Sequence, residues 1–422
     1  MDRSDIIIVG AGACGLMAAR ELSKAGRRVA ILEARDRIGG RVYPLSEEEF
    51  GYPAQGGAEF VHGDADITKA LIKEAGMTLI KTEGDMWDYH DGVLTINGHT
   101  VPNQDEFHEK LKNLKEDISV NHFLNKYFSD QKYNELRSQI LRMVEGYDAA
   151  DPDRLSAFDL RQEWVVGGWT QYRIKEGYGA LIKFLEAEVK KNGVEIYLNS
   201  VVKSIDHAAD KVVLQCSDGD IYQCDKVVLT VPLPVYSDIS FIPEVPKMIE
   251  AMEKIGFGGA IKIILKFKSR WWVDTLGKDF NEMDFILSKE LITSWWTQYP
   301  EVAAVLTGWL AGPKTQRFIH SSSDELIEVG ITSLANIFKV ERQFLKDQLV
   351  AGKAINWPAD PYTKGGYSYT TLETLSAMKE LVEPVEGRLF FAGEAFYSKE
   401  DTSTVEGALG SGLEIAKKIL GK

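Results

Sequence analysis

A glycine-rich turn between a short strand and a helix restricts the fold of this 422-residue chain more than any other sequence feature. Residues 6–9 are apolar and mostly β-branched, residues 10–15 read GAGACG, and residues 16–26 have apolar residues at helical spacing before a final glycine. A second apolar run, residues 29–32, leads directly to Glu33. Strand, glycine-rich turn, helix and strand in this order predict a βαβ unit with a ligand site at the N-terminus of the helix.

The three glycines of the turn have the spacing G-x-G-x-x-G. Gly10 permits the tight turn, Gly12 lets the backbone approach a pyrophosphate, and Gly15 lets the helix pack on the strand. Three glycines alone are weak evidence, and the alternative is an ordinary βαβ turn without a ligand. The matching context favours a dinucleotide, and the acidic Glu33 suits a free ribose 2′-hydroxyl, which favours FAD or NAD over NADP.

The segment after this unit, ARDRIGGR at residues 34–41, extends the pattern. Gly39 and Gly40 let the chain pass close to the pyrophosphate, and Arg41 is a candidate to lie against it. A surface salt bridge is the alternative for Arg41.

Composition excludes several classes of protein. The formal net charge of −14 disfavours a nucleic-acid partner, which would need clustered Lys and Arg. The three cysteines, Cys14, Cys216 and Cys224, have no metal-ligand spacing and are expected to be reduced thiols. We see no apolar run long enough to span a membrane and no secretory leader, and therefore expect a cytoplasmic protein.

The middle of the chain alternates between helical and strand patterns. Residues 103–145 have amphipathic helical spacing, and residues 180–191 predict a further helix. Short strands are predicted around a Ser-Asp-Gly turn at residues 212–224. Residues 260–268 alternate, and tryptophans are dense from Trp271 to Trp309.

Several segments, taken in order, resemble the flavin-containing amine oxidases, the family of monoamine oxidases, polyamine oxidases, L-amino acid oxidases and lysine demethylases. The similarity begins with Gly10 to Arg41 and recurs along most of the chain, in QGGAEFVHG (55–63), KEGYGALIKFL (175–185), LNSVVKSI (198–205), VVLTVP (227–232), GGYSYTT (365–371), FFAGEAF (390–396) and STVEGALGSG (403–412). Several ordered motifs are far more specific than one.

The resemblance implies an α/β fold of amine-oxidase architecture. A Rossmann-like FAD-binding domain of the glutathione-reductase type would comprise residues 1–79, 194–240 and 384–422. A discontinuous α+β substrate domain would comprise residues 80–193 and 241–383, with the flavin at the junction.

The resemblance also implies a role for each matching position at the cofactor. Glu33 would bind the adenosine ribose, and Val202 would contact the adenine through its backbone. The flavin would be bordered by Gly57, Ala58 and Glu59 on one side and by Gly393, Glu394, Thr404 and Val405 on the other. Arg41 and Glu394 would hold the pyrophosphate and ribityl region, and Thr404 and Val405 would present N–H groups to the flavin. A loop carboxylate and a helix N-cap are the alternatives for Glu394 and Thr404.

Lys262 is the candidate catalytic residue. From spacing alone it is one of three lysines on a water-facing strand face, with Lys266 and Lys268. The resemblance of GGAIKIILKF to a family strand implies instead that Lys262 reaches flavin N5 through a water and promotes electron transfer to oxygen.

The expected substrate wall lacks two features of monoamine oxidases. Tyr367 occupies the place of the cysteine that bonds to their flavin, so the FAD is expected to be noncovalent. Ser368 and Thr404 occupy the places of their two caging tyrosines.

Aromatic walls are expected from Trp357, Tyr367 and Tyr369, although some of these side chains could simply fill the core. His62 is either an amine-orienting partner or a structural histidine, and it favours a polyamine-oxidase-like enzyme.

The resulting hypothesis is an FAD-dependent amine oxidase. A polyamine or monoamine would be converted to an imine and then an aldehyde, while O₂ is reduced to H₂O₂. One alternative is a flavin desaturase or protoporphyrinogen-oxidase-like enzyme with an apolar substrate. The other is a non-catalytic FAD-binding protein that acts through a partner. Which amine is oxidised, and the oligomeric state, are not readable from the sequence.

Overall fold

The computed structural model describes residues 4–96, 101–166, 170–397 and 402–422. The strands in these ranges are β1 Ile6–Val9, β2 Val29–Leu32, β3 Phe60–His62, β4 Leu79–Lys81, β5 Asp85–His90, β6 Val93–Ile96, β7 Gln171–Ile174, β8 Glu195–Tyr197, β9 Val202–Asp206, β10 Val212–Cys216, β11 Ile221–Cys224, β12 Lys226–Leu229, β13 Ser240–Ile242, β14 Gly256–Gly258, β15 Ala260–Phe267, β16 Met283–Ser288, β17 Ser294–Trp296, β18 Val305–Ala311, β19 Leu349–Asn356, β20 Tyr367–Tyr369 and β21 Leu389–Phe391. The α-helices are α1 Ala13–Lys24, α2 Glu47–Phe50, α3 Asp66–Glu74, α4 Gln104–Lys112, α5 Val120–Tyr127, α6 Asn134–Gly146, α7 Ala157–Arg161, α8 Tyr178–Lys191, α9 Pro246–Lys254, α10 Ser323–Phe338, α11 Arg342–Gln348, α12 Thr374–Leu381 and α13 Val405–Leu420. A π-helical turn, Gln162–Val166, follows α7.

The first layer is a five-stranded parallel sheet in the order β21-β12-β1-β2-β8. Strand β1 is buried at all four residues, as expected for a central parallel strand covered on both faces. One face packs against α1, α8 and α13, and the other packs against the small sheet β11-β10-β9-β13. The predicted α/β class with a Rossmann-like sheet is confirmed.

Helix α13 returns from the C-terminal part of the chain and packs along α1. Gly412 makes this close contact possible, because a Cβ at that position would lie 2.5 Å from the Cys14 carbonyl oxygen. The first helix and the last are therefore neighbours beside the glycine-rich turn.

The second layer is a seven-stranded mixed sheet in the order β19-β15-β18-β17-β16-β5-β6. One of its faces packs against α10, with Ile263, Trp295 and Leu334 in a common core. Strand β15 lies between β18 and β19, which pair with it in antiparallel register. The face opposite α10 is covered at Ile264 by Phe50 and Ala54, so the middle of β15 is buried on both faces.

Helices α4 to α7 form a third packing unit. The predicted helical stretch 103–145 consists of α4, α5 and α6, interrupted by two polar caps. Ser119 accepts a hydrogen bond from His122 N at the start of α5, and Asp130 accepts one from Lys132 N before α6.

Helix α8 packs across the predicted boundary between the two domains. This helix lies in the stretch 80–193, which the prediction gives to the substrate domain, but its Leu181 and Leu185 pack in the same core as α1. The strand order β3-β7-β4 also joins residues from both predicted domains. Within the described ranges, no helix is both long and apolar enough to cross a membrane.

Candidate active site

One cavity of about 1700 Å³ runs between the parallel sheet and the mixed sheet. Of the residues predicted for the site, only Gly15 is not on its wall. The wall includes Gly10, Gly12, Glu33, Arg41, Gly57, Ala58, Glu59, His62, Val202, Lys262, Trp357, Tyr367, Tyr369, Gly393, Glu394, Thr404 and Val405. The fold thus brings positions from across the chain to one cavity.

The glycine-rich turn forms one end of the cavity. Gly10 has a φ of +108°, which a side chain would strain, and a Cβ on Gly15 would lie 2.0 Å from the Gly10 carbonyl oxygen. A Cβ on Gly12 would meet no atom within 4 Å, so the backbone there faces open space. Gly12 is also the N-cap of α1 without a side-chain hydrogen bond, which leaves the first N–H groups of α1 for a ligand.

The Glu33 carboxylate lies beside this turn and is only 5% exposed. Its Oε2 accepts a hydrogen bond from Ala11 N at 2.7 Å, and its Oε1 accepts one from Arg35 N at 3.0 Å. Burial raises the pKa of Glu33, although both backbone donors act against the rise. Each oxygen keeps one lone pair, so the carboxylate can accept hydrogen bonds from two hydroxyl donors.

Arg41 lies inside the cavity and not on a surface. Its Nη1 donates to Glu394 Oε1 at 2.7 Å and to the Gly366 carbonyl at 2.8 Å. Ser368 Oγ donates to the other oxygen of Glu394 at 2.5 Å. The predicted pair Arg41 and Glu394 is therefore a preformed ion pair on the cavity wall.

Thr404 is the N-cap of α13 and accepts a hydrogen bond from Gly407 N at 3.0 Å. The capping alternative for Thr404 is thus observed. The N-terminus of α13, with Val405, also points to the cavity, and a helix N-terminus suits an electron-rich ligand edge.

These residues fit an FAD molecule. The cavity exceeds the roughly 300–1,000 Å³ of an ordinary small-molecule site and has bare backbone at Gly12 where a pyrophosphate would approach. Gly39 N donates to the Ala11 carbonyl at 2.9 Å, which brings the Gly39–Gly40 segment beside the turn as predicted. Glu33 and Val202 line one part of the cavity and Lys262 another. A dinucleotide and a substrate therefore have room together.

Lys262 is buried, with 1% of its surface exposed, so the water-facing alternative for this strand face is wrong at this position. Elements packed on both faces cover the middle of β15, and exposure begins only further along, where Lys266 is half-buried and Lys268 is exposed. The Lys262 ammonium donates to Glu59 Oε2 at 2.6 Å and to the Gly57 carbonyl at 3.1 Å. Burial lowers the pKa of Lys262, and the Glu59 carboxylate opposes this shift.

Aromatic side chains enclose the cavity beyond Lys262. Trp309 is the cross-strand partner of Lys262, and its ring stacks on Tyr367 with centroids 6.4 Å apart and 10° between planes. Trp296 lies 5.3 Å from the Lys262 ammonium, measured to the ring centroid. Trp357 packs between core alanines with an edge on the cavity.

Tyr369 reaches the cavity but packs mainly into the helical unit, where it contributes to the core of α4 to α7. Its neighbour on β14 is Gly256, and a Cβ there would lie 2.2 Å from the Tyr369 ring. Of the three aromatic residues predicted to line the substrate site, Tyr369 is the one that packs mainly in a hydrophobic core.

His62 lies on the wall of the same cavity, beyond Lys262. Gln171 Nε2 lies 3.3 Å from His62 Nδ1, and Tyr147 Oη lies 3.5 Å from that nitrogen. Burial lowers the pKa of His62 to about 4, so the imidazole is neutral. With Nδ1 accepting from the Gln171 amide, Nε2 carries the proton.

Two acidic side chains that were not predicted from the sequence, Asp148 and Glu163, also line this cavity. Asp148 and Glu163 are close enough to shift each other's pKa, and Asp148 Oδ2 is buried with no hydrogen-bond partner in the part of the chain that the structure describes. Burial raises the pKa of both groups, that of Glu163 to about 7. The negative charges of Glu163 and Asp159 add to the rise at Asp148, whereas at Glu163 the interaction with Asp148 opposes the rise and Asp159 adds to it. Both charges act on Tyr147 and Tyr367, which places the pair beside the aromatic walls.

The sequence signals for the missed residues are of unequal strength. Trp296 and Trp309 belong to the noted cluster of tryptophans, and the β17 alternation sends Trp295 to the core and Trp296 to the cavity. Arg173, which binds Glu59, lies on a short strand with no pattern of its own. Glu163 lies in a π-helical turn, a local irregularity that spacing does not predict.

A family model described as flavin containing amine oxidoreductase matches residues 13–104 and 94–420. Polyamine oxidase 5 of Oryza sativa subsp. japonica is 29% identical over 98% of this chain and 87% of the relative. Lysine-specific histone demethylase 2 of Homo sapiens is 28% identical over 98% of this chain, and the match covers 53% of the length of that relative.

Solved structures show the same fold at lower identity. Wild-type putrescine oxidase bound to putrescine superposes with a TM-score of 0.82 at 20% identity, over 100% of this chain and 99% of that one. Cyclohexylamine oxidase from Brevibacterium oxydans IH-35A superposes with a TM-score of 0.81 at 20% identity, over 99% of each chain. These likenesses establish the architecture, and the family match covers nearly the whole chain.

Proposed function

The chain belongs to the family of flavin-containing amine oxidoreductases, and we propose that it oxidises a diamine or polyamine at a noncovalently bound FAD with O₂ as the acceptor. FAD-dependent oxidation of an amine follows from the family and from the fit of the cavity. The substrate class, the acceptor and the roles of individual residues are the proposal.

The carrying observation is the Asp148–Glu163 pair in the same chamber as Lys262. Among the described residues, no cation acts on these two half-buried carboxyl groups, so they would share a proton. A second ammonium of the substrate would replace that proton. Trp309 and Tyr367 lie between Lys262 and this pair, so an aliphatic chain would pack on aromatic surface. The curated relatives that are named polyamine oxidases support the same substrate class.

The chain's own residues would position both reactants. Glu33 would accept from ribose hydroxyls, the α1 N-terminus would face the pyrophosphate, and Arg41 with Glu394 would border the ribityl region. When bound, FAD supplies the two-electron acceptor for the C–H bond beside the amine nitrogen. Trp296 and Trp309 would exclude water and keep the reacting amine unprotonated, and the neutral His62 could orient it through Nε2–H.

The complete reaction balances as amine plus O₂ plus water giving aldehyde, H₂O₂ and either ammonia, from a primary amine, or a smaller amine, from a secondary amine. We propose that Lys262 promotes the oxygen step because it places a buried ammonium on this wall of the cavity. The FAD would be noncovalent because Tyr367 stands where a bonding cysteine would be needed.

The test is peroxide release by the purified yellow protein from diamines, polyamines, amino acids and monoamines of matched carbon length. We expect diamines or polyamines to give the highest kcat/KM, and denaturation to release intact FAD. A desaturase-like enzyme would yield no peroxide with any amine, and a non-catalytic flavoprotein would keep its flavin oxidised when mixed anaerobically with all of them.

Lys262→Met tests the lysine. We expect reoxidation of the reduced flavin to slow by about 10²-fold in stopped flow with FAD retained, because a preorganised charge is lost. Unchanged oxygen kinetics would remove Lys262 from the mechanism.

A further inference from the structure

Glu59 has an unusually complete set of donors for a buried carboxylate. Its Oε1 accepts from Arg173 Nε at 3.2 Å, from Trp296 Nε1 at 3.1 Å and from Gln298 Nε2 at 2.9 Å. Its Oε2 accepts from the Lys262 ammonium at 2.6 Å. Oε1 thus has three donors and Oε2 has one, and together these contacts fix the orientation of the carboxylate.

The Lys262 ammonium has three N–H groups, and the structure gives two of them a protein acceptor, Glu59 and the Gly57 carbonyl. Within the described ranges, no further acceptor for Lys262 is found. Since the side chain lies on the cavity wall, the third N–H is left for the cavity. Glu59 and Gly57 thereby decide where that proton points.

We propose that Glu59 is a positioning residue, which holds the Lys262 ammonium in one place and keeps it protonated while one N–H faces the cofactor. The inference rests on the proposed function, because it takes Lys262 as the group beside the flavin. In this role Glu59 acts through Lys262.

The need for a counter-ion follows from burial. An ammonium with 1% exposure would lose its proton readily without a nearby negative charge, because burial disfavours the charged form. The charged groups that act on Lys262 are Glu59, which favours its proton, and Arg173, which disfavours it. Burial works against ionisation of Glu59, yet Lys262 and Arg173 lower its pKa to about 2, so the counter-ion persists throughout the working pH range.

The same network contains a matched control. Arg173 contacts a second buried carboxylate, Asp284, at 3.3 Å from its Nη2, and Asp284 is 3% exposed. No contact joins Asp284 to Lys262 among the described residues. Glu59→Gln and Asp284→Asn each remove one carboxylate from Arg173, but only the first removes the partner of Lys262.

The experiment measures the ratio of reduced to oxidised bound FAD at a fixed potential, by reductive titration against a dye, at several pH values. We expect Glu59→Gln to raise this ratio about tenfold at low pH, because an uncompensated Lys262 ammonium favours the electron-rich reduced flavin. The gain should disappear in one step as the pH rises and Lys262 loses its proton. Asp284→Asn should show no such step.

The double variant Glu59→Gln/Lys262→Met completes the test. It should lack the pH step and should be more stable than Glu59→Gln alone, because both partners of the buried pair are removed together. If Glu59→Gln does not fold, Glu59→Asp, which keeps the charge with a shorter reach, should show a smaller shift of the ratio.

Three outcomes would overturn the proposal: a difference from the native protein that does not change with pH, an equal step in Asp284→Asn, or a step that persists in the double variant. The dye titration needs no amine. Failure of every amine to reduce the flavin would therefore contradict the proposed function and leave this measurement interpretable.

Discussion

Glu59 and the Asp148–Glu163 pair lie on the wall of one cavity, yet the pKa values of their carboxyl groups shift in opposite directions. Burial opposes ionisation at both places. At Glu59, two cations and two neutral donors outweigh burial and lower the pKa to about 2. At Glu163 none of the cations that the structure describes opposes burial, and the pKa rises to about 7. A carboxylate that already has cationic partners within the protein has a structural role. A pair of carboxyl groups without such partners is a candidate site for a cationic ligand.

Removal of Arg173 should produce the largest effect, because two buried carboxylates would lose their shared cation. We expect Arg173→Met to lower the free energy of unfolding by about 3–5 kcal/mol. Chemical denaturation of the apo protein measures this. A loss below about 1 kcal/mol would mean that Glu59 and Asp284 do not depend on Arg173.

The pH dependence of stability should separate the two carboxylates. Because burial raises the pKa of Glu163 from 4.5 to about 7, its contribution to stability is full below pH 4.5 and is lost as the pH rises through 7. We expect about 2 kcal/mol of unfolding free energy to disappear between about pH 5 and 7.5, and Glu163→Gln to flatten this profile. Glu59 has the opposite sign, since its contribution is lost only as the pH falls toward 2. An unchanged profile in Glu163→Gln would contradict the shift.

Asp148→Asn should affect substrate choice and not the cofactor. We expect kcat/KM for a diamine to fall by about 10–100-fold, because a hydrogen-bonded charge partner for the second ammonium is removed. A monoamine of the same carbon length should change by less than about threefold, since it makes no such contact. Equal losses for both amines would show that Asp148 shapes the chamber without binding the second ammonium.

Lys266→Met should have the smallest effect and is the natural control for Lys262→Met. Lys266 lies four residues after Lys262 on β15, so both side chains point to the same face of the strand. Lys266 is half-buried and donates to the Glu49 carbonyl at 2.7 Å. We expect a change in unfolding free energy within about 0.5 kcal/mol and normal reoxidation of the flavin. Slowed reoxidation in this variant would point to the net charge of the strand and not to Lys262.

The nucleotide end of the cavity was predictable because it is built from contiguous sequence and from backbone. The φ of Gly10, the bare Cα of Gly12 and the position of Glu33 after β2 all follow from local spacing. Here glycine at a given position directly indicates a backbone geometry that other residues would not allow.

The reacting end could be predicted only in part. Lys262 was singled out by resemblance, whereas its alternating strand pattern indicated a water-facing residue, because spacing does not reveal which elements will pack on a face of the sheet. Arg173 binds Glu59 across 114 residues of sequence, and a contact of that range has no local signal. The roles of the site residues and the domain boundaries remain predictions for the experiments above.

The central sheet has a consequence for biosynthesis. Its strands β1, β12 and β21 lie side by side but come from the first, middle and last parts of the chain, and α13 packs on α1 through Gly412. A polypeptide still attached to the ribosome can form the glycine-rich turn early, but the opposite wall forms only once the much later segment with Glu394 and Thr404 has been synthesised. Stable capture of the coenzyme is therefore a late event, and proteolytic removal of α13 should release it.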